Sequence, residues 1–152
     1  TSASFDVVPS GAQLIESVDG TATTYAGGSG LEFDVENTGS RSIEITDFAV
    51  EYSGANKLRN LTAPEVEILG GGTDGTASSI PGFDVDNTTY ALDTNAVVQA
   101  GQQATIRLSE FQGGGFSSLT SVTLTDSSNA DLTVTLTFGD GSKRVYYLKV
   151  ET

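Results

Sequence analysis

Apolar side chains recur at every second position along most of this chain, and no segment of any length carries them at the spacing of an amphipathic helix. Leu31, Phe33 and Val35 point one way while Glu32, Asp34 and Glu36 point the other, and Asn37-Thr38-Gly39-Ser40 closes the run with turn-forming residues. The next run starts with Ile43 and Ile45 in one phase and continues with Phe48, Val50 and Tyr52 in the other. The alternation slips at Thr46-Asp47, where a β-bulge or a bend between sheets would restore the inward face. Val66 and Ile68 alternate with Glu65 and Glu67, and Ile106 with Leu108 and Val122 with Leu124 give two further short strands. Leu132, Val134, Leu136 and Phe138 alternate with Thr133, Thr135 and Thr137. Gly139-Asp140-Gly141-Ser142 then turns the chain into a strand from Lys143 to Val150, which reads as a hairpin. Upstream, Ser4 to Val8 and Ala12 to Val18 read as strands flanking Pro9-Ser10-Gly11.

The stretches between these runs are rich in Gly and Ser: Ala26 to Gly30, Gly70 to Ser79 and Gly113 to Gly115. They read as loops, the second long enough to move or to meet a partner. About nine to eleven strands with closely spaced turns predict an all-β fold, an antiparallel immunoglobulin-like β-sandwich forming one domain over residues 1–152. Its first ten residues could serve as an exchanged strand.

Composition removes most chemistry. The 152 residues include no Cys, His, Met or Trp, which leaves no disulfide, thiolate nucleophile, imidazole base or ordinary zinc, haem or iron–sulfur site. Twenty Asp and Glu against seven Lys and Arg give a net charge of -13, which repels nucleic acid and anionic membranes. No apolar run approaches the roughly 18 residues of a membrane span. A chain that starts at Thr1 and lacks Met is expected to be a processed, exported form.

Carboxylates in this excess, with only Lys57, Lys143 and Lys149 as lysines, resemble the surface composition of extreme halophiles. At about 1 M salt the Debye length falls to roughly 3 Å, so their mutual repulsion is screened. The competing reading is an acidic secreted protein kept soluble by its charge. The stretch from Leu31 to Tyr52, LEFDVENTGSRSIEITDFAVEY, and the hairpin LTVTLTFGDGSKRVYYLKV from Leu132 to Val150 add to this picture. Together they resemble secreted and surface-anchored β-sandwich domains of haloarchaea, including archaeal pilin-like proteins and archaellum accessory proteins. The resemblance implies a fold and a cell-surface, extracellular setting but transfers no functional residue. One departure stands out: pilin-like proteins usually open with a hydrophobic helix, whereas this chain opens with a strand pattern.

Few constellations suggest chemistry. The acidic residues mostly occupy the outward phase of strands, which reads as solvated surface rather than a glycosidase pair, and the chain is expected not to be an enzyme. Asp84 and Asp86 alternate on one face with Asp93 nearby, offering hard oxygen ligands of the kind calcium takes. The glycine and terminal Glu of an EF-hand loop are missing, so an ordinary polar loop competes with this reading. Asp126 to Asp131 reads as a turn. Asn60-Leu61-Thr62 and Asn87-Thr88-Thr89 are N-glycosylation sequons, with Asn60 and Asn87 as acceptors in an exported chain. The triple glycines precede no helix and no Lys-Ser or Lys-Thr, so they are not phosphate loops.

Ala3, Phe5 and Val7 alternate in the N-terminal segment, which either completes its own sandwich or adds to the sheet of a neighbouring subunit. These features lead to the expectation of a homo-oligomer or polymer, the structural subunit of an extracellular filament or pilus assembled head to tail by strand donation. Two alternatives stay open. One is a binding module for a surface-layer protein or a glycan, held by a membrane-anchored chain. The other is a surface protein of a halophilic virus.

Overall fold

The computed structural model describes residues 8–152, so the expected strand at Ser4 to Val8, save for Val8, and the candidate contact residues Ala3, Phe5 and Val7 lie outside the described residues. The described chain forms a helical turn, α1 (Gly11–Leu14), and fifteen strands. In order these are β1 (Ile15–Ser17), β2 (Thr23–Tyr25), β3 (Gly30–Asn37), β4 (Ile43–Tyr52), β5 (Lys57–Leu58), β6 (Val66–Leu69), β7 (Gly72–Thr73) and β8 (Gly75–Ala77). They continue with β9 (Phe83–Asp84), β10 (Tyr90–Val98), β11 (Gln103–Leu108), β12 (Phe111–Gln112), β13 (Ser121–Leu124), β14 (Leu132–Phe138) and β15 (Lys143–Glu151). The expected nine to eleven strands fall short because β5, β7, β9 and β12 have two residues each, too few to show an alternation.

Every pairing is antiparallel. One layer runs β1-β3-β11-β6-β8 and the other β10-β4-β14-β15-β13. The central order β1-β3-β11-β6 facing β4-β14-β15 reproduces the A-B-E-D and C-F-G sheets of an immunoglobulin constant-type sandwich. What differs is an insertion between β6 and β11, comprising β7, β8, β9 and β10, of which β9 joins a separate small sheet. It closes one side of the sandwich, because β8 pairs with β6 while β10 pairs with β4, and Thr94 of β10 pairs with Thr76 of β8. The other side stays unzipped: β2 and β13 lie side by side without a ladder between them.

The alternation that predicts these strands is also what fills the space between the layers. Phe33 and Val35 of β3 and Val134, Leu136 and Phe138 of β14 are buried, and their intervening neighbours are half exposed. Each such side chain withdrawn from water contributes about 1.5–3 kcal/mol before entropy is counted. Phe33 meets Tyr146 of the opposite sheet with ring centroids 5.6 Å apart. The slip at Thr46-Asp47 is a bulge: Asp47 faces Thr137 and Ile45 faces Phe138, leaving Thr46 as the extra residue. Asn37 in the Asn-Thr-Gly turn is buried. Its amide donates to the carbonyls of Arg41 and Val98, and its oxygen accepts from the Gly39 N–H.

Two expected elements are corrected. Ala12 to Leu14 is not strand but part of α1, because Ser10 and Gln13 form a reciprocal capping box: the Ser10 Oγ accepts from the Gln13 N–H and the Gln13 Oε1 from the Ser10 N–H. Gly70 to Ser79 is not a free loop, since β7 and β8 within it pair with β10 and β6 and Ala77 is buried.

The described chain enters at one end of the sandwich and leaves at the other. Val8 and Pro9 lie beside the Gly39–Arg41 turn, where β3 passes into β4, and the Asp140 carboxylate holds the Gly11 N–H at that same end. Glu151 pairs with Ser121 at the opposite end, level with the close of β4. Among the described residues no helix is long and apolar enough to cross a membrane.

Candidate functional site

The end from which the chain leaves carries most of the irregular structure. After Tyr52 the chain turns into β5, which pairs with β9 on one side and β12 on the other to form a three-stranded flap. Aromatic rings fasten it down: Tyr52 meets Phe111 at 5.4 Å, Phe48 meets Phe83 at 5.2 Å and Phe83 meets Tyr90 at 4.9 Å, all but edge to face. Backbone bonds from Tyr52 to Val85 and from Val85 to Asn56 complete the join.

A groove of about 590 Å³ runs between the flap and the end of β4, lined by Glu51, Tyr52, Ser53, Asn56, Asp84 and Asp86. Burial, and then the charge of Asp131, pushes the Tyr52 phenol above its ordinary value. Asp84 pairs with Lys57 at 3.3 Å. The Asp86 carboxylate accepts from the Thr88 hydroxyl and N–H, which holds it below the usual carboxylate range. Asp93 is elsewhere, accepting from the Ser78 N–H at 2.7 Å. Of the candidate calcium ligands, Asp84 and Asp86 therefore share a groove whose lining does not include Asp93.

Beside the flap two loops meet over one carboxylate. Glu65 is fully buried, and its two oxygens accept from the N–H of Asn60 at 3.3 Å and of Ser79 at 3.0 Å. Alternation with Val66 and Ile68 predicts an outward Glu65; here the loops fold over it instead. The residues that follow the two tethered positions are strongly exposed and apolar: Leu61 at 63% and Ile80 at 76%. A second groove, about 270 Å³, surrounds Leu61 and is formed by Arg59, Asn60, Thr62, Glu110 and Gln112. In the first sequon the Asn60 Oδ1 accepts from the Thr62 N–H and hydroxyl; in the second, Asn87 sits in an exposed turn with φ +71°.

Sequence reasoning passed over Leu61 and Ile80, although both were visible as large apolar residues outside any alternation, Ile80 directly before a proline. On the outer face of the first layer the alternation did place charge correctly. There Arg107 bonds Glu32 at 2.8 Å, approaches Glu67 at 3.9 Å and lies over the Tyr25 ring at 4.2 Å. No family model matches the sequence, and no curated protein is significantly similar to it.

Proposed function

We propose that this protein is a structural subunit of an extracellular filament or pilus, suited to brine because its acidic surface resembles that of haloarchaeal proteins, and that subunits join head to tail with the N-terminal segment as the donated strand. The observation that carries this reading is the placement of the ends: the chain enters beside the Gly39–Arg41 turn and leaves beside Ser121, with the full length of the sandwich between them. Repeating a contact between such opposite ends gives an open chain of subunits instead of a closed ring or dimer. The acidic surface supports the extracellular setting, since a charge of -13 keeps a sandwich with exposed edges soluble until specific contacts form. In this reading the protein does no catalysis.

The test is negative-stain electron microscopy of the protein at about 2 M salt, where surface repulsion is screened, beside a variant lacking Thr1 to Val8. Filaments in the intact chain that disappear in the truncation are the expected result. Separate particles in both samples overturn it.

A second reading, a cell-surface binding module, is favoured by the groove of Glu51, Asn56, Asp84 and Asp86, whose carboxylates and amide suit the hydroxyls of a glycan or the basic groups of a surface-layer protein. Binding of surface glycans by separate particles, lost on Asp86→Asn, would select it.

A further inference from the structure

Large apolar side chains at the surface of this sandwich are few, and their placement is uneven. Among the described residues four are exposed: Val8, Leu61, Ile80 and, least of all, Val145 at 37%. Leu61 and Ile80 directly follow Asn60 and Ser79, whose N–H groups Glu65 ties at the exit end. Val8, 69% exposed, sits at the entry end and follows Phe5 and Val7 in sequence.

We propose that the Leu61 and Ile80 patch is the receptor for the N-terminal segment, residues 1–8, of a second copy of this chain. The inference rests on the head-to-tail reading above and gives it its two contact surfaces.

Reach decides against the segment's own copy. Seven residues ahead of Val8, fully extended, span at most about 25 Å. The ten residues of β4 alone run about 30 Å from the entry end to the exit end, and Leu61 and Ile80 follow residues tied to Glu65, which lies level with the start of β3 at the end opposite the Gly39–Arg41 turn. A segment that starts beside Gly39–Arg41 therefore falls short of the patch on its own molecule and meets it only on a neighbour. Pro9 strengthens the case: the Arg41 guanidinium donates to its carbonyl and its ring fixes φ, so the segment departs from a braced point.

The patch also has the right chemistry for this occupant. The segment TSASFDVV offers Phe5, Val7 and Val8 as apolar groups and a single charge, Asp6. The groove around Leu61 can take one large side chain, and its wall includes Arg59, whose guanidinium complements the face of the Phe5 ring, beside Glu110. Backbone tethering by Glu65 holds both loops in place before the segment arrives, which lowers the entropy lost on docking.

The chain has no cysteine, so single introduced thiols report contacts without background. Phe5→Cys and Ile80→Cys variants, otherwise full length, are mixed at about 2 M salt under mild oxidation, with Phe5→Cys plus Val145→Cys as the control pair. The expected result is a mixed disulfide dimer forming roughly tenfold faster or more in the Phe5 and Ile80 mixture, because docking raises the effective concentration of the two thiols. Equal rates in the two mixtures overturn the proposal. A Leu61→Asp, Ile80→Asp double variant with an unchanged circular dichroism spectrum separates the two levels. Filaments that persist in it overturn this receptor while the filament reading stands; an intact chain that forms neither filaments nor the disulfide overturns both.

Discussion

The Tyr146 hydroxyl donates a 2.6 Å hydrogen bond to the Ile15 carbonyl, so the last strand of one layer is fastened to the first strand of the other across the unzipped side of the sandwich. Burial pushes this phenol far above its ordinary value. The neutral form is the one the fold holds. Its contribution is complete below the phenol's unfolded pKa of about 10 and is lost as pH rises beyond it. Tyr146→Phe keeps the ring against Phe33 but leaves a buried carbonyl without its donor, a loss of about 1–3 kcal/mol. Thermal unfolding should show a lower Tm for the variant, and alkaline titration by tyrosinate absorbance should show one phenol of the native protein that resists ionisation until the fold gives way.

Asp140 gives the opposite pH dependence. The Ser142 hydroxyl first, then the Gly11 and Ser142 N–H groups and the Arg41 charge, lower its pKa to about 2. A carboxylate depressed in the folded state stabilises above its unfolded pKa of about 3.9, and that stabilisation is lost as pH falls toward 2. Asp140→Asn is expected to unfold at a lower Tm near neutral pH and to lose less stability than the native chain between about pH 4 and pH 2. Parallel acid titrations followed by circular dichroism check this. Identical acid profiles would remove Asp140 as the anchor of α1.

Glu65 organises two loops through one buried carboxylate. Glu65→Ala strands the Asn60 and Ser79 N–H groups and opens a void, with an expected cost of about 1–3 kcal/mol for each unmatched donor that stays dry. Hydrogen exchange should speed up at Asn60 and Ser79 while the amides of β3 and β14 keep their protection. Unchanged exchange at both loop positions would contradict the tether.

Salt dependence tests the halophile-like surface. With a charge of -13 and five ion pairs among the described residues, like-charge repulsion outweighs pairing at low ionic strength. Tm is expected to rise steadily from about 0.1 M to about 2 M salt as the Debye length shrinks from roughly 10 Å. A flat curve by calorimetry would favour the ordinary acidic secreted protein.

Gly11 is packed against Phe138, and a Cβ there would lie 2.7 Å from the Phe138 Cβ. Gly11→Ala should therefore cost about 1–3 kcal/mol through overpacking even though alanine favours helix. Chemical denaturation of the two proteins decides which effect wins.

How much of this was readable in advance depended on length and on one-sidedness. β3 and β14 run to eight and seven residues with one face on the core, so their alternation announced them, and the phase slip at Thr46 announced the bulge. β9 and β12 are defined only by the neighbours that pair with them. The capping box of Ser10 and Gln13 was written in the sequence, but a four-residue helix gave no periodicity to support it.

The class of fold, the inward faces of the long strands, the turn at Asn37 and the exclusion of thiol and imidazole chemistry are all legible in the amino-acid order, because each follows from local pattern or from composition. Folding in three dimensions set the strand order, the closure by β8 and β10, the burial of Glu65 and the tie it makes between the loops of Asn60 and Ser79. These depend on contacts between residues far apart in the chain, which only the loop closures of the folded molecule bring together, and no period within a single strand encodes them.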